Sequence, residues 1–181
     1  MGKVIILKLE TSRLMLRPWK KSDAESLYKY AKNEKIGPAA GWLPHRSIEE
    51  SEIVIRDIFS VPNTFAMILK DTGEPVGSIG LMVGKYGSLD LPEKEAELGY
   101  WLGVPYWGQG LMPEAAHELL RFGFEELGLE KIWCCCSSEN KNSQRVQEKC
   151  GFKFVKSVNT EYELLHKKII REIRVLEKSK K

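Results

Sequence analysis

The sequence has little that would take it across a membrane or onto one. The apolar run nearest the amino terminus extends only from Val4 to Leu7 and ends at Lys8. That run is too short for the core of a signal peptide, and Ile6 stands where a myristoylation signal needs Ser or Thr. No other apolar segment approaches the ~20 residues that span a bilayer. We therefore expect a cytoplasmic protein with no membrane partner.

Metal-ligating side chains are scarce and badly spaced for a metal site. The chain has three histidines and four cysteines: His45, His117, His166, Cys134, Cys135, Cys136 and Cys150. The histidines fall on unlike elements, and consecutive cysteines of a strand point to opposite faces. None of the paired spacings of a zinc site occurs. We expect no metal, and thiols that belong to the core and surface.

The chain also lacks a strong excess of charge of one sign, because 28 basic and 25 acidic residues give a net charge of only +3. The carboxy-terminal stretch from His166 to Lys181 carries seven Lys or Arg against two Glu, so the rest of the chain is slightly acidic. A nucleic-acid binder usually carries its basic stripe on the folded body. We expect a solvated basic tail and no nucleic-acid partner.

The 181 residues and the order of patterns predict one α/β (α+β) domain with a mixed sheet. Ser-x-x-Glu spacings at Ser22 and Ser47 predict two helix starts. Further patterns predict strands at 13–19, 65–70, 76–83, 95–102, 131–136 and 152–158, and helices at 113–127 and 143–149. Residues 168–176 fit a strand and a helix equally.

The segment from Glu97 to Ala116 is the most informative part of the chain. A predicted strand runs into a glycine-containing loop that opens a helix, which directs free backbone N–H groups and the positive helix end to one spot. A phosphate is the natural occupant of that spot. A P-loop would need Lys and then Ser or Thr after Gly110, and a dinucleotide fingerprint would need glycine in place of Pro113. A phosphate cradle without a lysine remains.

Three blocks of the sequence resemble the GNAT superfamily of acetyl-CoA-dependent N-acetyltransferases, in particular its ribosomal-protein N-terminal acetyltransferases. The blocks span residues 13–19, 97–116 and 140–152. The superfamily pattern Gln/Arg-x-x-Gly-x-Gly/Ala falls on residues 107–112, with departures at Trp107 and Met112. The departures concern the side-chain contact to the pyrophosphate and leave the backbone contacts intact. The resemblance implies a single domain over residues 1–181. Its mixed, mostly antiparallel sheet splays near the fourth strand, and about four helices flank it.

The resemblance also implies where acetyl-CoA binds. The pantetheine arm would pair with backbone at Leu102, Gly103 and Val104, and the pyrophosphate would lie on the cradle formed by Trp107, Gly108, Gln109, Gly110, Leu111 and Met112. Asn140 would hydrogen-bond the pantetheine, and Ser143 would lie near the thioester sulfur as a proton donor or water holder. Both residue types also suit a plain helix cap, and the two roles can coexist.

The chemistry of acetyl transfer narrows the acceptor, because only a neutral amine attacks a thioester. An α-amino group with a pKa of ~7.7–8.0 is neutral roughly a tenth of the time at pH 7, and a lysine side chain far less. Glu97 is the candidate base, because it interrupts an apolar run and shares its face with Trp101. A carboxylate on the solvent face of a strand is an equal alternative. Trp101 or Leu102 would offer the oxyanion amide, and Trp42, Glu97 and Trp101 are candidate substrate contacts.

The sequence thus predicts an N-acetyltransferase that acts on a primary amine, with a protein or peptide N-terminal α-amine as the favoured acceptor. Two alternatives stay open. One is an enzyme for a small amine, such as a polyamine, an amino acid or an antibiotic. The other is a non-catalytic CoA-binding module that senses acetyl-CoA. Monomer and homodimer are both open.

Overall fold

The structure, a computed structural model, describes residues 7–179. Its strands are β1 (Leu9–Glu10), β2 (Leu14–Arg17), β3 (Thr64–Leu69), β4 (Pro75–Val83), β5 (Glu95–Leu102), β6 (Lys131–Ser137), β7 (Lys153–Tyr162) and β8 (Lys167–Glu177). Its helices are α1 (Ala24–Ala31), α2 (Gly37–Ala40), α3 (Ile48–Asp57), α4 (Leu111–Glu125) and α5 (Lys141–Lys149). Residues 1–6, on which the signal-peptide and myristoylation expectations rest, and the last two lysines lie outside the described residues.

All eight strands belong to one sheet in the order β1-β2-β3-β4-β5-β6-β8-β7. Every neighbouring pair is antiparallel except β5 and β6, which are parallel. This confirms the predicted mixed, mostly antiparallel sheet of an α/β domain. The strand at 95–102 is the fifth along the chain because the two-residue β1 precedes the first predicted strand.

The sheet opens between β5 and β6. Residues 95–98 of β5 pair with residues 131–134 of β6, and the pairing stops there. Beyond that point β5 stays paired with β4 as far as Leu102, and β6 stays paired with β8 as far as Ser137. The carboxyl ends of the two central strands therefore separate, as the predicted splay requires, while each half of the sheet keeps its own hydrogen bonds.

Helices cover both faces of the sheet. On one face α4 packs closely, since a Cβ added to Gly123 would lie 2.9 Å from Leu81 Cδ1 and 3.0 Å from Ile132 Cδ1. On the other face lies Trp19, in the segment between strand β2 and helix α1. Its indole N–H donates to Ser78 Oγ of β4 at 3.1 Å. Alternation along β5 places Glu97 and Trp101 on this second face, and Tyr100 on the face of α4 and α5.

The expectation of a solvated basic tail is wrong. The stretch forms β8, which lies between β6 and β7 inside the sheet. Ile169 and Ile173 are buried, and Arg174 is only 7% exposed. The two arginines of the stretch pair with carboxylates, Arg171 with Glu97 and Arg174 with Glu172, so their charge is compatible with burial. The structure also settles the ambiguity at 168–176 in favour of a strand.

One of the two predicted helix caps forms as expected. The side chain of Ser47 accepts a hydrogen bond from the Glu50 N–H at 3.1 Å and begins α3. Ser22 does not cap α1. The Asp23 carboxylate instead accepts from the Lys20 N–H at 2.9 Å, and a 3-10 turn precedes the helix. The helical turn therefore has Lys20 as its N-cap, and Ser22 lies inside it and not at its start, which the spacing alone does not reveal.

None of the helices in the described part of the chain combines the length and the apolar composition that a bilayer span requires. Within residues 7–179, no three potential metal-ligating side chains lie close enough together to hold an ion.

The close approach of β4 and β5 can be tested at Gly77. A Cβ there would lie 2.5 Å from the backbone oxygen of Trp101, which cannot move without breaking the ladder. We expect Gly77→Ala to lower the free energy of unfolding by about 1–3 kcal/mol, measured by urea denaturation. In the matched control Gly99→Ala, the Cβ meets the flexible Met82 Cε at 2.8 Å, so the loss should be smaller. Equal losses would contradict this account.

Candidate active site

A cavity of about 1250 Å³ lies where β5 and β6 separate. It brings together most of the predicted site residues, which come from distant parts of the chain: Trp42, Glu97, Trp101, Leu102, Trp107, Gly108, Gly110, Leu111, Met112, Asn140 and Ser143. Gly103, Val104 and Gln109 are not in its wall. The splay of the sheet is thus the feature that gathers the site.

The loop before α4 has the backbone geometry of an anion cradle. Gly108 and Gly110 have φ angles of +76° and +75°, and Gly110 is the residue that precedes the helix. A Cβ at Gly108 would meet nothing within 4 Å, so the space above the loop is open. Among the described residues, the N–H groups of Gly108, Gln109 and Gly110 donate to no backbone acceptor. The first-turn amides of Leu111 and Met112 have no intrahelical acceptor either.

The two polar side chains of this loop turn away from the cradle and stabilise the loop itself. The Trp107 indole donates to the Leu102 carbonyl at 2.7 Å, and the Gln109 amide donates to the Pro105 carbonyl at 2.8 Å. Trp107 therefore does not replace the Gln or Arg of the superfamily pattern as an anion ligand. It connects the loop to the end of β5.

The backbone after β5 is partly used by the protein. The Gly103 N–H donates to Val76 O at 2.8 Å, and the Leu102 carbonyl accepts from Trp107. The Val104 N–H donates to no backbone acceptor among residues 7–179. Pairing with pantetheine at Leu102, Gly103 and Val104, which stays a prediction, would use that N–H and the second lone pair of Leu102 O.

An ion pair that sequence reasoning missed borders the cradle. Glu114, in the first turn of α4, accepts from the Thr11 hydroxyl at 2.6 Å and pairs with the Arg13 guanidinium at 2.6 Å. Arg13 also donates to Gln109 O at 2.9 Å. Burial raises the pKa of Glu114, but the bonds from Thr11 and Arg13 outweigh it and leave this pKa below its usual range. These contacts join the sequence block at residues 13–19 to the glycine loop and the first turn of α4.

Asn140 caps α5 as the simpler interpretation predicted. Its Oδ1 accepts from the Ser143 N–H at 3.0 Å, which leaves its amide nitrogen in the cavity wall. The Ser143 hydroxyl lies 2.8 Å from the Tyr100 hydroxyl and 3.1 Å from Gln147 Nε2. Burial raises the pKa of Tyr100 well above its ordinary value, so its hydroxyl stays protonated at neutral pH. Sequence reasoning missed Tyr100, whose bond joins β5 to α5, and Gln147, although it lies one turn after Ser143 on the same helix.

Glu97 lies in the cavity wall but is not a solvent-facing carboxylate, since it is 6% exposed. Its oxygens accept from the Ser88 N–H at 2.6 Å, the Leu89 N–H at 3.1 Å and the Ser88 hydroxyl at 2.8 Å. The Arg171 guanidinium donates to it at 2.8 Å. The carboxylate thus holds the 84–91 loop and β8 together. Its assignment as general base stays a prediction, and as a base it would have to act from within this network.

Aromatic side chains form the opposite end of the cavity. The Trp42 and Trp101 rings meet edge to face with centroids 6.4 Å apart, and Trp19 stacks behind them on Trp101 and Phe59. The Trp101 indole N–H is buried and has no hydrogen-bond partner among the described residues. His45 lies beside Trp42, and burial lowers its pKa. The structure therefore brings two of the three predicted substrate contacts, Trp42 and Trp101, into ring contact, while Glu97 lies elsewhere in the same cavity wall.

Comparisons with known proteins agree with this geometry. A family model described as an acetyltransferase (GNAT) domain matches residues 13–153. The Bacillus licheniformis protein named uncharacterized N-acetyltransferase p20 is 29% identical over 149 residues, which are 80% of this chain and 81% of the relative. A GNAT-family acetyltransferase structure from Bacillus anthracis has a TM-score of 0.81 at 22% identity, covering 94% of this chain and 98% of that one. The ribosomal-protein-S5-alanine acetyltransferase of Vibrio fischeri has a TM-score of 0.75 at 18% identity, covering 94% and 96%. The chain belongs to the GNAT family of acetyltransferases and is an acyltransferase.

Proposed function

We propose that the protein transfers the acetyl group of acetyl-CoA to a primary amine by direct attack, and that a peptide or protein N-terminal α-amine is the acceptor. The observation that carries the proposal is the single cavity at the splay of β5 and β6. It has a backbone anion cradle at one end, an aromatic wall at the other and Ser143 in its lining.

The cradle end suits the charged part of acetyl-CoA. Unpaired amides at the start of α4 and its helix dipole favour a pyrophosphate. Arg145 and Lys149, one turn apart on α5, are exposed and also line the cavity, so they add positive charge for further phosphate. Backbone amides and these two cationic side chains can bind phosphate without a metal ion. The proposed reaction therefore needs acetyl-CoA as its cosubstrate and no metal.

The aromatic end suits an amine that arrives as a cation and reacts as a neutral group. Aromatic faces attract an ammonium, and the carboxylates of Glu161 and Glu163 line the same cavity. An α-amine then loses its proton more easily than a lysine, because its pKa lies ~2–3 units lower. These features support an acceptor with an α-amine beside an apolar group.

Three predictions from the sequence accompany this proposal. The chain from residue 1 to 181 works as one acetyltransferase domain, supported by a sheet that runs continuously from Leu9 to Glu177. It acts in the cytoplasm, and it acts without a nucleic-acid partner.

An amine panel tests the acceptor. Acetyl-CoA is mixed with peptides that carry a free N-terminal alanine or serine, with N-blocked lysine peptides, and with a polyamine, amino acids and an aminoglycoside. Thiol release is followed, and mass spectrometry locates the acetyl group. We expect acetylation of the free peptide N-termini. Preference for a small amine would select the small-molecule alternative. Binding of acetyl-CoA by calorimetry without thiol release for any amine would select the sensor alternative.

The cradle is tested by Gly110→Val. A side chain there would stand on the cradle loop itself, with its Cβ 3.6 Å from Arg13 Nη2, so we expect affinity for acetyl-CoA to fall tenfold or more, which is about 1.4 kcal/mol. Gly128→Val is the matched control, because Gly128 also has a positive φ of +68° and open space but lies outside the cavity. It shares the backbone strain and should keep its affinity. Unchanged calorimetric affinity in Gly110→Val would place the cradle elsewhere.

Glu97→Gln tests the general base. If Glu97 takes the amine proton directly or through water, turnover at neutral pH falls by about 10²–10⁴-fold while affinity for acetyl-CoA holds. The defect shrinks as pH rises through the pKa of the amine, because neutral amine becomes plentiful. If Glu97 only holds the 84–91 loop and Arg171 in place, the loss of turnover is independent of pH and the variant has a lower melting temperature. A variant with full turnover at pH 7 would contradict the base assignment.

A further inference from the structure

A chain of hydrogen bonds runs behind the cavity wall from β8 through α5 to β5. Arg174 Nη1 donates to Gln147 Oε1 at 3.2 Å, and Gln147 Nε2 donates to Ser143 Oγ at 3.1 Å. The Tyr100 hydroxyl lies 2.8 Å from the same Ser143 Oγ. We call these four residues the Ser143 relay. Only Tyr100 and Ser143 line the cavity, while Gln147 is fully buried and Arg174 is 7% exposed.

The direction of the inner bonds follows from Arg174. A guanidinium has donors and no acceptor, so the Gln147 group that faces it must be the carbonyl oxygen. The amide nitrogen is then fixed towards Ser143. Arg174 cannot easily rotate away, because its other nitrogen pairs with Glu172 at 2.7 Å and lies 3.9 Å from Glu148. The amide of Gln147 is therefore held in one orientation and always offers a hydrogen to Ser143.

The outer bond joins two hydroxyl groups, either of which can be the donor. Tyr100 Oη also lies 3.3 Å from the Ser143 carbonyl oxygen, which only accepts. In the arrangement that our proposal uses, the one tyrosine hydrogen is shared between Ser143 O and Ser143 Oγ as a three-centre bond. Burial raises the pKa of Tyr100, which keeps that hydrogen in place at neutral pH. Ser143 Oγ then accepts two hydrogen bonds, and its own hydrogen is left to point into the cavity.

We propose that Gln147 and Arg174 are positioning residues that fix the Ser143 hydroxyl as the proton donor to the leaving thiolate, and that Tyr100 is its second hydrogen-bond donor. The inference rests on the proposed acetyl transfer. The amine nitrogen forms a bond to the acetyl carbon, the electron pair of the carbon–sulfur bond goes to sulfur, and sulfur takes the Ser143 proton. Ser143 Oγ regains a proton from water in the cavity, and Tyr100 keeps its own proton throughout, because burial disfavours its ionised form. The amine nitrogen gives up one proton, to Glu97 or to water, and that proton returns to solvent, so protons balance over the cycle.

Gln147→Glu reverses the direction of one bond and changes little else. A carboxylate of the same shape still pairs with Arg174, but towards Ser143 it only accepts, so the serine hydrogen turns away from the cavity. We expect kcat with acetyl-CoA to fall by about 10²-fold, the scale of a lost proton donor, with KM for acetyl-CoA and the melting temperature preserved. With p-nitrophenyl acetate, whose leaving group needs no proton, the defect should be several-fold smaller.

Gln147→Met provides a second, opposite comparison. It removes the acceptor of Arg174 and should be less stable than Gln147→Glu, yet it leaves the serine hydrogen free and should be more active. Activity and stability therefore change in opposite order, which a merely structural role would not produce. Gln144→Glu is the control on the same helix, because Gln144 is buried but bonds Ser138 O at 3.0 Å and lies outside the cavity wall. It should leave turnover unchanged.

The wild-type enzyme is measured first. A wild type that transfers acetyl to no amine would contradict the proposed function and the relay together. A wild type that is active, with Gln147→Glu equally active, would overturn the relay alone. Equal losses with acetyl-CoA and p-nitrophenyl acetate, or activity that follows stability across the two Gln147 variants, would also overturn it.

Discussion

The candidate active site depends on one interruption of hydrogen bonding in the sheet: the β5–β6 ladder ends after Leu98 and Cys134. Buried backbone groups need partners, and strands that separate expose theirs. Here β4 and β8 satisfy the outer edges of the two strands, so only the edges that face each other remain for a ligand. Both α4 and α5 begin next to the gap, which adds two sets of first-turn amides. A cavity rich in backbone donors follows from the topology before any side chain is considered.

Polar side chains tie the two halves of the sheet together across the gap, one set on each face. On one face Glu97 of β5 pairs with Arg171 of β8. On the other face Tyr100 of β5 bonds Ser143 of α5. These ties contain the two residues that the sequence marks as catalytic candidates. Chemistry and structural support therefore occupy the same atoms, and a loss of turnover has meaning only beside a stability measurement and a leaving-group or pH comparison.

Local signals predicted the parts of the molecule that are local. The Ser47 cap, the 65–83 hairpin and the glycine loop before α4 depend on neighbouring residues, and the structure contains all three. Arg171, a partner of Glu97, lies 74 residues away in sequence, and Tyr100, a partner of Ser143, lies 43 residues away, so no spacing rule reaches these two. Trp107 shows a different limit. Its departure from the superfamily pattern was visible, but the bond that it makes to Leu102 O was not.

The carboxy-terminal stretch shows most clearly why composition alone misleads. Its basic residues suggested a solvated tail, yet β8 crosses the sheet beside the gap. Arg171 and Arg174 are three residues apart on a strand, so they point to opposite faces. One neutralises Glu97 on one face, and the other orients Gln147 behind Ser143 on the other face. Lys167 and Lys168, on the same strand, are exposed. A charged strand can be buried only where partners on the same face meet its charges. Arg171 and Arg174, the two basic positions of β8 nearest the site, have such partners.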